Sequence, residues 1–373
     1  MEKASFQQKP ERLESLDILR GFDMFWIIGG SSLVLSLAAS TEWGWLQPIA
    51  DQMHHVKWEG FRFYDLIFPL FMFIAGVAIP YSIISKVEKG ENRTTLLKKI
   101  IRRGLILVLL GIIYNGALRD KLVDIRFASV LGQIGLSYMF ASIIFLYSRS
   151  LKIRLIWLFG IMALIAILQL FVPVPGYGAG LLDPVGGINA WLDRALLPGR
   201  LHGETFDPEG LLCVVSAISV TMMGGLAGII LRDGTPPNTK KTITLVLTGA
   251  ILTITAIILS PVYPIIKSAW TVPFNLLTAG ISFMLLAIFY FVIDVQKWTG
   301  GIVAQKAFFF KVIGMNSITI YLGSRLINFN YTSTFLLGWL GEYWGPWVIV
   351  IGAITLRWLL LWYLYKKNIF LRV

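Results

Sequence analysis

The stretch HHVKWEGFRFYDLIFPLFMFIAG, residues 54–76, decides how this chain is read. After Asp65 it is an unbroken apolar run, and before that run stand two adjacent imidazoles with Lys57, Glu59 and Arg62. An α-helix needs about 20 apolar residues to cross a hydrocarbon core roughly 30 Å thick. Runs of that kind recur along all 373 residues, which are 56% hydrophobic and only 14% charged, with 13 Trp and 24 Phe. Such a composition excludes a soluble domain of this length, and the period-two alternation of a membrane barrel is absent. The expected fold is all-α: a polytopic membrane protein of about ten transmembrane helices, both termini cytoplasmic, forming one domain over 1–373.

The spans fall at roughly 18–38, 64–84, 103–118, 129–148, 154–172, 210–231, 242–260, 273–293, 308–326 and 344–365. With the N-terminus inside, the basic loops 86–103, 149–154, 232–241 and 294–306 and the tail 365–373 are cytoplasmic. About 23 of the 33 Lys and Arg then lie inside and about nine outside, the bias that orients helices during insertion. The formal charge of +12 is therefore a mark of topology, and no nucleic-acid partner is expected. Residues 1–17 lack the shape of a cleavable signal and are expected to be a cytoplasmic leader. The outer face receives 39–63, 119–128, 261–272, 327–343 and the long Gly- and Pro-rich segment 173–209, with His54, His55 and His202. Loops of that length are commonly functional or disordered. No internal repeat is visible, which weakens a transporter reading. The single Cys213 permits no intrachain disulfide and reads as a small buried hydrophobe.

Imidazole takes and gives a proton near neutrality and is a nucleophile toward activated acyl groups. Neighbours in an extended chain face opposite ways, so one of His54 and His55 is expected to do the work. Asp65 opens the second span, where the helix dipole favours an anion, and can fix an imidazole tautomer. Alternatively, both histidines belong to an aromatic belt with Trp43, Trp58 and Tyr64. No spacing supports a zinc site, and no metal is expected. Asp17, Arg20 and Asp23, spaced by three, share a helical face; Asp23 has to meet protein, water or Arg20, as a packing ion pair or part of a ligand site. Glu204, Asp207 and Glu209, just after His202, suit sugar hydroxyls or an ammonium group and equally suit the opening of a helix. Asn316, Ser317, Ser324 and Arg325 interrupt the ninth span as interhelical hydrogen-bonding groups or as site residues.

RLESLDILRGF (12–22), HVKWEGFRFYDLIFPLFMFIAG (55–76), RFASVLGQIGLSY (126–138), FDPEGLLCVVSAI (206–218), DVQKWTG (294–300), GMNSITIYLG (314–323) and YKKNIF (365–370) occur in this order. Together they resemble the transmembrane catalytic region of the heparan-α-glucosaminide N-acetyltransferase family. A separate lumenal domain precedes this region in the animal enzyme and is expected to have no counterpart here. The resemblance implies transfer of acetyl from cytosolic acetyl-CoA to the amino group of a terminal glucosamine across the membrane. It places the catalytic histidine on His55, three residues before Trp58, and the aspartate on Asp65. It also suggests Trp58, Glu59, His202, Glu204, Asp207, Glu209, Asn316 and Ser317 as substrate-binding residues. Lys98, Lys99, Arg102, Arg103, Arg20 and Arg126 are then candidates for the acetyl-CoA phosphates, unless they only mark topology. The chain departs from the animal pattern at Ile27-Ile28-Gly29, Gly132-Gln133 and Gly323-Ser324-Arg325.

The pantetheine arm is expected to thread between helices toward His55, with Gly29, Gly30 and Gly76 allowing close passage. His55 then either accepts acetyl and passes it on, or deprotonates the amine in direct transfer. An O-acyltransferase acting on surface or cell-wall polysaccharide and a secondary transporter are the competing readings. The expected setting is a bacterial inner membrane with the site toward the periplasm, and the resemblance suggests a homodimer.

Overall fold

The computed structural model describes residues 13–118, 124–297 and 301–371. Most of the expected leader (1–12) and part of the 119–128 connection lie outside the described residues. Among the described residues the regular secondary structure is all helix, joined by turns and loops that contain three isolated β-bridges. The helices used below are α1 Glu14–Ser40, α2 Phe63–Glu88, α3 Arg93–Tyr114, α4 Val130–Tyr147 and α5 Leu151–Phe171. They continue with α6 Ile188–Leu196, α7 Leu211–Arg232, α8 Asn238–Leu259 and α9 Val272–Val295. The C-terminal set is α10 Gly301–Met315, α11 Ser317–Leu326, α12 Phe329–Trp344 and α13 Trp347–Lys366.

Side-chain caps set several boundaries: Asn92, Ser129, Ser150 and Asn328 each accept a backbone N–H of the first turn they precede. Among the described residues eight helices are long and apolar enough to span a bilayer, and the pair Ala304–Met315 and Ser317–Leu326, bent by 68°, brings the number to as many as nine. The expected count of about ten included 103–118, whose helix starts ten residues earlier, at Arg93. Asn92 caps it, and no Pro or Gly intervenes before Gly104, so Lys98, Lys99, Arg102 and Arg103 ride on the helix rather than on a loop. Segments expected as outer connections also contain helix: Gln47–Asp51 in 39–63, α6 in 173–209, and α12, which fills most of 327–343 and runs on to Trp344.

α7 is the central pillar, with 72% of its apolar window buried, against 17% for α8. It packs on α2 so tightly that a Cβ on Gly76 would stand 2.0 Å from the Thr221 carbonyl oxygen, and one on Gly224 2.0 Å from that of Phe73. Gly76 thus serves helix contact rather than ligand passage. Gly29 likewise faces Ile354 of α13, within a π-turn, Trp26–Gly30, that interrupts α1. Large apolar side chains on α5 and α8, such as Phe159 and Ile258, stay exposed. That is the surface a lipid-facing helix presents, and the chain is an integral membrane protein.

Candidate active site

The His-bearing loop is held from three sides before it reaches α2. Gly60, in a left-handed conformation (φ 115°), donates its N–H to the Ile265 carbonyl at 2.9 Å, and Glu59 bridges to Ile266. Trp58 donates Nε1–H to the Leu182 carbonyl at 2.7 Å and meets the Phe206 ring edge-on. The N–H of Phe63 is bonded to the Gln52 side chain at 3.0 Å. Trp58 therefore fastens this loop to the 173–209 segment, while the Glu59 side chain points to solvent.

Asp65 sits in the first turn of α2 and is fully buried. One carboxylate oxygen accepts the Arg62 N–H at 3.0 Å, and the other lies 2.7 Å from His55 Nδ1. Lys267 Nζ stands 3.2 Å from that second oxygen, 2.9 Å from His55 Nδ1 and 3.4 Å from Nε2. The Asp65 contact holds the proton on Nδ1 and leaves Nε2 with its lone pair. His55 remains half exposed, at 51%, with the Tyr64 ring 4.9 Å away, whereas its neighbour His54 points into solvent.

His55 also lines a cavity of about 200 Å³ with Tyr64, Glu209, Lys267 and Tyr321 as its polar groups and Ile27, Ile67, Phe71, Ile134 and Ile318 among its apolar walls. Phe71, Ile134 and Ile318 are also walls of a second cavity of about 370 Å³, which holds Arg20, Arg103, Tyr138, Asn316 and Ser317. Arg103 and Tyr138, cation on ring at 4.4 Å, in turn border a third of about 380 Å³ with Lys86, Lys99 and Arg102. Adjacent cavities thus run from the imidazole to a basic end.

The predicted residues sort themselves along this line. Lys99, Arg102 and Arg103 come together at the basic end and Arg20 meets Arg103 in the second cavity, while Lys98 borders an apolar groove with Leu105 and Leu109. Arg126, expected among the phosphate-binding residues, stands at the opposite end. Its guanidinium is bonded to both Asp207 oxygens, at 2.7 and 2.6 Å, and to Glu209. The reason is local: Arg126 lies in the connection just before α4, which begins on the same side as α7. Burial disfavours its charge, but Asp207 and Glu209 outweigh that and raise its proton affinity. Asp207 is consequently buried within this ion pair and also accepts the Glu209 and His202 N–H groups. Glu209 alone of the three acids reaches the His55 cavity, and burial, partly offset by Arg126, draws its carboxyl above the usual range. Glu204, in a left-handed conformation (φ 62°), and the His202 side chain are exposed and line none of these cavities.

Asn316 and Ser317, expected near the acceptor, belong to the second cavity. Asn316 sits at the α10–α11 bend and donates to the Ile369 carbonyl at 3.1 Å. Arg20 pairs with Asp17 at 3.3 Å, while Asp23, wholly buried, has no hydrogen-bond partner among the described residues. No group of three or more His, Cys, Asp or Glu with metal-ligand geometry occurs among the described residues. Sequence reasoning missed Lys267, Tyr321 and Lys86. The signal for Lys267 was a lone cation in PVYPIIKSAW, on the side where the charge bias disfavours one.

Fold and site together define a polytopic helical membrane protein with an imidazole, a carboxylate and an ammonium gathered at the mouth of a cavity within the helix bundle. In sequence the chain is similar to proteins named heparan-alpha-glucosaminide N-acetyltransferase, the likeness its motifs carry. It is 29% identical to the protein of that name from Mus musculus over 379 residues, covering 86% of this chain and 56% of the relative. To the Homo sapiens protein it is 28% identical, covering 86% and 54%. The chain thus spans about half the length of the curated relatives it matches. A family profile described as a domain of unknown function (DUF5009) matches residues 12–173.

Proposed function

We propose that this protein is a membrane acetyltransferase that takes acetyl from acetyl-CoA on the cytoplasmic side and delivers it to the amino group of a terminal glucosamine, in a heparan-type or related saccharide, on the outer side. The observation that carries the reading is the position of His55: half exposed on one side, and on the other lining the first of the adjacent cavities that run to Arg103. CoA is too large and too charged to cross a bilayer, whereas its acyl end needs only a narrow passage. Lys86, Lys99, Arg102 and Arg103 would take the CoA phosphates, and the second cavity, with Arg20, Asn316 and Ser317, the pantetheine arm. Asp65 orients the ring, so that Nε2 either attacks the thioester or removes a proton from the attacking amine. Glu209, which lines the His55 cavity, would meet the amine. The setting that fits is a bacterial inner membrane with the acceptor arriving from the periplasm.

Purified protein supplied with labelled acetyl-CoA and either glucosamine-terminated saccharides or hydroxyl acceptors tests the reading. Label appearing on the amine, and lost with His55→Ala, is the expected outcome. Label only on hydroxyls would make it an O-acyltransferase, and solute flux without thioester consumption a transporter. CoA released in a burst before any acceptor is added identifies an acetyl-imidazole intermediate.

A further inference from the structure

Lys267 stands in the reaction centre without a role in the proposal above. It is 18% exposed and is the one Lys or Arg lining the His55 cavity among the described residues. A donor on the lone-pair axis of one ring nitrogen lies far from the other nitrogen, yet Lys267 Nζ is within 3.4 Å of both. The ammonium therefore stands beside the imidazole, while Asp65 occupies the Nδ1 axis. One of its three N–H groups is directed to Asp65 at 3.2 Å, leaving donors for a group bound near Nε2.

The segment carrying Lys267 is fixed from several elements. Gln169 of α5 and Asn189 of α6 both donate to the Ala269 carbonyl, at 2.8 and 3.1 Å. From α7, Ser216 donates to the Trp270 carbonyl at 2.6 Å and Cys213 to that of Ser268 at 3.4 Å. Gly60 of the His-bearing loop holds the Ile265 carbonyl. Trp270, almost fully buried, is kept in the left-handed region at φ 47°. Backbone strain of that kind persists only where its surroundings impose it.

We propose that the Lys267 ammonium stabilises the oxyanion that forms on the thioester carbonyl when the acetyl group is attacked beside His55. The inference takes the acetyl-transfer reading as its premise. In that step a nitrogen lone pair, from the amine or first from His55 Nε2, bonds to the carbonyl carbon, and the C=O π pair moves onto oxygen. On collapse the pair returns, the C–S bond breaks and sulfur leaves with its electrons. The proton given up by the amine ends on sulfur, so that amide and CoA thiol are the products. A fixed cation in a cavity walled by Ile and Phe acts on that transient charge at low dielectric, with little reorganisation.

Burial draws Lys267 below the ordinary lysine range, and Asp65 and Glu209 oppose this. The groups facing it are His55 from the loop, Asp65 and Tyr64 from α2, Glu209 from the segment before α7 and Tyr321 from α11. The test is steady-state acetyl transfer to glucosamine across pH for the parent, K267M, K267Q and K267R, with thermal unfolding in detergent as the folding control. K267M and K267Q are expected to lose about 10²–10³-fold in kcat, with KM for acetyl-CoA within about threefold of the parent's. K267R is expected to keep kcat within about tenfold and, because a guanidinium stays protonated, to extend the activity plateau to higher pH. Should K267M not fold, K267Q and K267R decide. The assignment is overturned by parental kcat in K267M or K267Q, by a loss confined to KM, or by a K267R profile with the parent's alkaline limb. A parent that transfers no acetyl to any amine sinks the acetyl-transfer reading itself, a result distinct from an active parent indifferent to position 267.

Discussion

His55 stands against two neighbours of opposite charge. Asp65, buried and bonded to the Arg62 N–H, holds one ring nitrogen; Lys267 balances the carboxylate without taking the other nitrogen's axis. Asp65→Asn keeps the shape but can donate to Nδ1, so the ring is able to turn over its tautomer. Acetyl transfer is expected to fall by on the order of 10²-fold or more while detergent-solubilised protein stays folded. An Asp65→Asn rate within threefold of the parent would remove the aspartate from the mechanism. His54→Gln, by contrast, alters a solvent-facing side chain and is expected to leave kcat and KM unchanged. Only one of the pair is backed by a buried carboxylate.

Helices place these residues, and their contacts are the next point of failure. The α2–α7 crossing permits no side chain at Gly76, where a Cβ would lie 2.0 Å from a backbone oxygen. Gly76→Leu is expected to cost on the order of 3 kcal/mol and to lower the unfolding midpoint in detergent, carrying the His55–Asp65 end of α2 out of register. At the His55 end of the same contact, Asp193 of α6 accepts the Asp207 and Leu211 N–H groups at 3.2 and 3.0 Å and so anchors the start of α7. Burial pushes its carboxyl up from 3.8 to about 6. Because the folded state holds this proton more tightly than the unfolded state, its stabilisation is complete below pH ~4 and is lost as pH rises through about 6. Asp193→Asn should flatten that part of the stability–pH curve, read as the unfolding midpoint between pH 4 and 7. An unchanged slope in the variant would assign the dependence to another group.

At the scale of the whole molecule, the bundle separates the His55 cavity from the basic cavity, which on the proposed reading would hold the donor's charge. The basic cavity that includes Lys99, Arg102 and Arg103 is joined to the imidazole only through cavities sharing walls. Arg102→Gln with Arg103→Gln is therefore expected to raise KM for acetyl-CoA about tenfold with kcat nearly unchanged. With the 3′-dephospho donor the same pair of changes should matter less. A drop in kcat at constant KM would instead mean that these arginines act on the reacting group, against the spatial separation described.

Much of this was legible in the order of the residues. Apolar runs of membrane-spanning length and a weighted distribution of Lys and Arg suffice for an all-helical membrane protein, because hydrocarbon leaves the backbone few alternatives. The resemblance carried by the HVKWEGFRFYD motif put the expected roles on His55 and Asp65, and ten residues of chain with a capped helix start keep the two together. Spacing could not decide the destination of long-range partners. Arg126 joined Asp207 and Glu209 rather than the basic cluster, Asn316 turned to the second cavity, and Lys267 arrived from 212 residues away beside the imidazole. Those placements depend on which helix ends share a side of the bundle and how closely glycine faces let them approach, and only the packed tertiary structure settles either.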